Sequence, residues 1–228
     1  MIILAFNTTN SQLGVVLLQD QKVLAQVEFD ENSNQAEFLI VEIEKILRTQ
    51  NIWYQDLSAI ATIKGPGSFT GVRIGLVAAK MIKLTTNLPL FTFDALSVLA
   101  NENRAFEGKI FAIIDAKMDE FFIGEFLSQN NKIKTIMESR LVQLHELKDL
   151  NLDQNHLIIG NGKNILQEIF ARKNIDLKTH HNEDKICTKT IALMAFEALI
   201  LNDFQGDSNP LYLRQPRIST RNSRKIEK

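Results

Sequence analysis

Three short, mainly apolar runs open the chain, residues 2–7, 13–19 and 22–29, separated by the brief polar turns that hairpins use. The pattern predicts a β-meander. From Gln35 to Thr49 the apolar residues Ala36, Leu39, Ile40, Ile43, Ile46 and Leu47 recur with helical spacing, and a strand at Ala59 to Lys64 and a helix from about Thr70 follow. After about residue 108 the order returns: strands at 109–116, 120–127 and 132–139, a helix near 143–150, a strand at 156–160 and a helix at 163–172. A last amphipathic helix, 188–202, runs through Ile191, Met194, Ala195, Ala198 and Leu199 and stops near Gly206. Two βββαβα units predict two α/β domains, residues 1–105 and 106–213, with 214–228 as a tail.

Two helices carry more apolar surface than one sheet can cover. In the helix from Thr70 to Thr86 the only charges are Arg73, Lys80 and Lys83, and a helix apolar in every direction needs burial on every side. Within and just before it, Gly67, Gly71, Gly75 and Ala79 recur every four residues, a low ridge that another helix can approach. In the preceding helix Phe38 and Val41 lie opposite the main stripe, while Leu39 and Ile43 face the core. The excess reads either as a partner interface or as ordinary scattered surface apolar residues.

Composition narrows the class. The 228 residues are 45% hydrophobic and 23% charged, the balance of a globular protein rather than a disordered, collagen-like or coiled-coil chain. The single cysteine, Cys187, excludes an internal disulfide framework and a cysteine-rich zinc site, and fits a reducing cytoplasm. The apolar start, Met1 to Phe6, has no basic residues ahead of it and runs into Asn7-Thr8-Thr9, so it reads as a strand and not a signal peptide. No apolar stretch reaches membrane-spanning length. A cytoplasmic protein without membrane contact is expected. The net charge of −1 conceals a tail, residues 214–228, with six basic residues and one acidic, against −6 on the rest of the chain. Within it Arg217, Arg221, Arg224 and Lys225 are candidate contacts to nucleic-acid phosphates; the other reading is a solvated end.

The most distinctive run is Gly65-Pro66-Gly67-Ser68-Phe69-Thr70-Gly71-Val72-Arg73-Ile74-Gly75, which leaves a strand and enters a helix. Ser68 or Thr70 can cap that helix, and free amides at a helix start attract anions, so the loop is either a structural turn or an anion site. It matches neither the Walker A spacing nor the nucleophile elbow. His145, His156, His180 and His181 lack the spacing of a helical zinc site. Cys187 has no partner histidine and reads as a buried thiol. Asp115 at a strand end is a metal candidate or a plain turn carboxylate, and the adjacent Asp119 and Glu120 point to opposite faces of a strand. No catalytic constellation emerges.

The run GPGSFTGVRIG at 65–75, with ILAFNTT at 3–9, IDAKMDEFF at 114–122, GNG at 160–162 and PLYLR at 210–214, resembles the bacterial TsaB family, also called YeaZ. The resemblance implies two RNase H-like domains of the actin-like ATPase, sugar kinase and heat-shock chaperone superfamily. It implies a non-catalytic subunit of the complex that forms N6-threonylcarbamoyladenosine next to the anticodon of tRNAs. The partners it implies are a TsaD-like transferase, a TsaE-like ATPase, a second copy of the chain when alone, and tRNA through the complex. No cofactor is expected on the isolated chain, with a nucleotide at the subunit interface left open. The histidine pair of TsaD-type transferases is absent here. The family's contact lies on the first two helices, which directs attention to Phe38, Val41, Gly71, Gly75 and Ala79. Asn7 stands where the family usually has Asp, and an amide is a poorer ligand for a hard cation; Gln35 stands where relatives often have His. The competing function is a stand-alone nucleotide-binding phosphotransferase or ATPase, in which Ser68 and Asp115 would matter. A peptidase is disfavoured by the missing metal or nucleophile constellation.

Overall fold

The computed structural model describes residues 1–9, 12–30, 34–179, 185–203 and 208–214. Its first half runs β1 (Ile2–Asn7), β2 (Gln12–Gln19), β3 (Lys22–Asp30), α1 (Gln35–Thr49), β4 (Ala59–Gly65), α2 (Phe69–Thr86), β5 (Leu90–Asp94) and α3 (Ala95–Glu102). The second half runs β6 (Gly108–Asp115), β7 (Glu120–Gln129), β8 (Lys132–Gln143), β9 (Leu157–Ile159), α4 (Lys163–Ala171), β10 (Lys178–Thr179) and α5 (Thr188–Ile200). The two five-stranded sheets repeat one order, β3-β2-β1-β4-β5 and β8-β7-β6-β9-β10. In each, the meander is antiparallel and the last two strands join in parallel.

The repeat is longer than the pattern of apolar positions predicts: the first unit adds β5 and α3, and the second adds β10 ahead of the expected last helix, α5. β5 and α3 share a residue boundary: Asp94 ends the strand and caps the helix, its Oδ1 accepting from Leu96 N at 2.8 Å and Ser97 N at 3.0 Å. With no loop between them, Asp94 alone, between Phe93 and Ala95, marks the change. The helix expected near 143–150 is a short 3₁₀ segment, Leu144–Asp149.

Strand β1 is buried on both sides, which is why it reads as an uninterrupted apolar run. Leu4 and Phe6 face a core with Leu39, Ile43, Ile46 and Leu47 of α1 and Ala78, Ala79 and Ile82 of α2. Ala36 and Ile40, assigned to the α1 stripe by spacing, are exposed instead. Gln35 takes the inner position because its amide is bonded, Nε2 donating to Gln12 O at 3.0 Å. Ile3 and Ala5 face the opposite way, into a core shared with Ile110, Ala112 and Ile114 of β6 and lined by α3 and α5.

The layers are therefore α1 and α2, first sheet, α3 and α5, second sheet, α4. α5 packs on β1, β2 and β4, and α3 packs on β6, β7 and β8. Each half sends its final helix onto the other half's sheet, so the two sheets close over one core. Among the described residues, no helix is long and apolar enough to cross a membrane.

Candidate functional site

The glycine-rich run leaves β4 at Gly65 and enters α2 through Ser68, whose Oγ caps the helix by accepting from Gly71 N at 3.3 Å. Thr8, just beyond β1, donates from Oγ1 to Gly71 O at 2.7 Å. A Cβ on Gly71 would lie 2.0 Å from Thr8 O, and one on Gly75 would lie 2.8 Å from Thr8 Oγ1 and 3.0 Å from Thr62 Oγ1. Ala79 is fully buried in the core beneath the first sheet.

This corrects the assignment of Gly71, Gly75 and Ala79 to a partner contact. The small-residue row is the groove by which α2 settles onto the ends of β1 and β4, and it offers no surface to another chain. The residues that α2 does present are Phe69, Val77, Met81 and Leu84, the last 75% exposed. Helical spacing carried the signal: 77, 81 and 84 lie opposite 71, 75, 79 and 82 on a wheel of 100° per residue. On α1, Phe38 and Val41 are exposed as expected, joined by Ile40.

Arg73 does not aim at an anion. Its guanidinium lies 3.8 Å from the centroid of Phe69, and its Nε donates to Tyr212 Oη at 2.7 Å. The motif loop at 65–75 and the PLYLR motif at 210–214 thus meet, a pairing across 139 positions that spacing along the chain cannot reveal.

Asn7 is buried and spent on structure. Its Oδ1 accepts from Thr9 N at 2.9 Å and Thr9 Oγ1 at 2.7 Å, and its Nδ2 donates to Gln12 Oε1 at 3.3 Å. Gln12 Nε2 passes the chain on to Ile186 O at 2.9 Å. Both lone pairs of the Asn7 amide oxygen are in use, so none is directed at a cation.

On the second sheet the IDAKMDE and GNG motifs also come together. Asn161 Oδ1 accepts from Asp115 N at 2.8 Å, at the end of β6. A cavity of about 390 Å³ opens beside them, lined by Asp115, Lys117, Asp119, Asn161, Asn164 and Glu168. Burial works against the charge of Asp115, but the bonds from Lys117 N at 2.7 Å and Lys117 Nζ at 2.9 Å outweigh it and hold the carboxyl below the usual Asp value. Asp115 is a turn carboxylate. Three carboxylates against one ammonium make this cavity unfavourable for a phosphate.

His156 is buried, its Nδ1 2.8 Å from Asp153 and its Nε2 3.3 Å from Glu125, a structural arrangement with no nucleophile in it. Cys187 is half-buried at the start of α5. Asp119 is exposed, whereas Glu120 is buried against Arg214. Among the described residues no cluster of three His, Cys, Asp or Glu side chains is set to hold a metal ion. His180, His181 and the tail residues Arg217, Arg221, Arg224 and Lys225 lie outside the described residues.

The TsaD family model, described as tRNA N6-adenosine threonylcarbamoyltransferase, matches residues 23–199. A Bacillus subtilis protein named tRNA threonylcarbamoyladenosine biosynthesis protein TsaB is 29% identical over 80% of this chain and 82% of its own length. A protein of the same name from Buchnera aphidicola subsp. Baizongia pistaciae is 31% identical over 74% of this chain and 80% of its own. The chain belongs to the TsaB family. Its fold is that of YeaZ from Pseudomonas aeruginosa, at a TM-score of 0.77 with 20% identity, over 93% of this chain and 99% of that one. The activator of the 2-hydroxyisocaproyl-CoA dehydratase from Clostridium difficile, with bound ADPNP, shares the fold more loosely, at a TM-score of 0.52 with 10% identity over 89% and 97% of the two chains. In this member of the TsaB family, one motif pair meets at the end of β4 and the other at the ends of β6 and β9, the strand that corresponds to β4 in the second sheet.

Proposed function

We propose that this chain is a non-catalytic scaffold and activating subunit in the formation of threonylcarbamoyladenosine on tRNA, and that it holds a TsaD-like transferase against α1 and α2. The observation that carries this reading is the apolar face those helices leave uncovered: Phe38 and Val41 on one, Val77, Met81 and Leu84 on the other. Family membership supplies the pathway, and the match of a TsaD family model to residues 23–199 fits two chains of related build pairing. In the absence of the transferase the same face closes on a second copy. A TsaE-like ATPase and tRNA join through the complex, and the place for a nucleotide is the subunit interface of the cytoplasmic assembly.

The test is size-exclusion chromatography with light scattering on this chain alone and mixed with a TsaD-like transferase, with threonylcarbamoyl transfer assayed on each fraction. Activity confined to a mixed peak supports the reading. Leu84→Asp should abolish that peak and the activity while leaving the far-ultraviolet circular dichroism unchanged, since a side chain this exposed contributes little to the core. Pairing undisturbed by Leu84→Asp together with Met81→Asp would remove α2 from the interface.

A stand-alone ATPase is the weaker reading. Ser68 is committed to capping α2, Arg73 to Tyr212 and Asn7 to its own turn, so these three side chains are already spent on the fold at the motif loop. The purified chain is expected to turn over no ATP above a buffer blank, with Ser68→Ala indistinguishable from the parent.

A further inference from the structure

Four consecutive residues near the end of the described chain make four anchors on different parts of the molecule. Leu211 N donates to Lys64 O at 2.7 Å, at the end of β4. Its carbonyl oxygen lies 2.8 Å from the place a Cβ on Gly65 would take, and Gly65 holds a φ of +114°, so only glycine accommodates the crossing without strain. Tyr212 packs on Phe69 with ring centroids 5.2 Å apart and accepts the hydrogen bond from Arg73. Leu213 packs against the core that the two sheets share. Arg214 reaches the second sheet, donating to Lys117 O at 3.0 Å and pairing with the carboxylate of the buried Glu120. Glu120 is in turn held by Gln143 Nε2 at 2.9 Å, from the end of β8.

We propose that residues 210–214 form a releasable strap that couples the glycine-rich loop of the first sheet to the β6–β7 turn of the second. The strap crosses between the carboxyl ends of β4 and β6, each an interior strand of its sheet. Among the described residues no strand or helix joins those two points directly, so the order of one depends on the other through four residues that bend at Leu213 and Arg214. The grip is releasable on the Arg214 side, because that side chain is 28% exposed and its guanidinium regains water as it leaves Glu120. Here, moreover, Arg214 Nε is buried without a hydrogen-bond partner among the described residues. Release would free Phe69 and Arg73, at the first turn of the α2 face. That last consequence rests on the pairing proposed above; the coupling itself does not.

The experiment is hydrogen exchange read by mass spectrometry on the full chain alone and on full-length Arg214→Ala and Tyr212→Ala. Coupling between two sites is reciprocal. Arg214→Ala, which touches only the second sheet, should speed exchange in 64–73 by roughly tenfold, the scale of one hydrogen bond to a charged group. Tyr212→Ala, which touches only the first, should do the same at 116–121. Exchange in β2, remote from the strap, should not change in either variant. If each variant loosens only the segment its own side chain touches, the strap is two local contacts and the proposal fails. Tyr212 is 44% exposed, so its variant keeps the test open should Arg214→Ala not fold.

Discussion

Gly71→Ala is expected to lower stability by about 3 kcal/mol, at the upper end of what overpacking costs, and to drop the thermal midpoint by roughly 6–12 °C for a chain of this size. The added Cβ would fall 2.0 Å from Thr8 O and 3.1 Å from Thr8 C, backbone atoms that no rotamer change can move aside. Thr8 is itself pinned, by its Oγ1 bond to Gly71 O and by the Asn7 to Thr9 turn next to it. α2 must therefore lift from the sheet, and the core beneath it, with Ala78, Ala79 and Ile82, opens with it. Gly75→Ala should cost less, because its new Cβ meets two hydroxyls rather than a carbonyl. Thermal melts followed by circular dichroism check both. A Gly71→Ala midpoint within about 2 °C of the parent would mean that α2 does not sit this close to β1. The same geometry rules out Gly75→Arg as a probe of pairing, since it would disrupt the fold before it reached any partner.

That glycine row marks the limit of what periodicity conveys. Spacing of four along α2 identifies a face of small residues, but the neighbour that needs them, Thr8, lies 63 positions away on another element. The antiparallel meanders were legible because each strand is followed at once by its partner, so local apolar runs and local turns specify them. β5 and α3 were hidden by a different cause: Asp94 serves as strand end and helix cap, leaving no polar gap. The exposed face of α2 was legible in outline, as an excess of apolar positions, yet the sequence rule that small residues mark contacts pointed to the wrong side. The strap and the Arg73 to Tyr212 bond were out of reach, because neither residue pattern nor charge predicts which pair of distant motifs will meet.

The joint where α3, α5 and β3 meet makes the second large effect a matter of pH. Two carboxylates converge on the start of α5, Glu102 accepting from Cys187 N at 2.8 Å and Glu28 from Thr188 N at 2.7 Å. Burial pushes the Glu102 carboxyl up to about 8, the bond from Cys187 N opposes this in part, and the nearby Glu28 raises it further. The folded protein thus holds a proton on Glu102 that the unfolded chain, near the ordinary value of 4.5, gives up readily. Where the folded state binds more protons, stability falls as pH rises. The contribution is complete below about pH 4.5, declines from there to about pH 8, and is gone above it. Glu102→Gln keeps the oxygen that accepts from Cys187 and removes the titration. It should leave stability unchanged near pH 4 and raise it by about 2–4 kcal/mol at pH 8.5, at roughly 1.4 kcal/mol for each unit of displaced pKa. Urea unfolding of both proteins from pH 4 to pH 9 measures the difference directly. Because other groups titrate in this range, the decisive quantity is the gap between the two curves. A gap that widens with pH places the proton on Glu102. Parallel curves would mean that the carboxyl is already ionised in the fold, and that α5 begins between two negative charges.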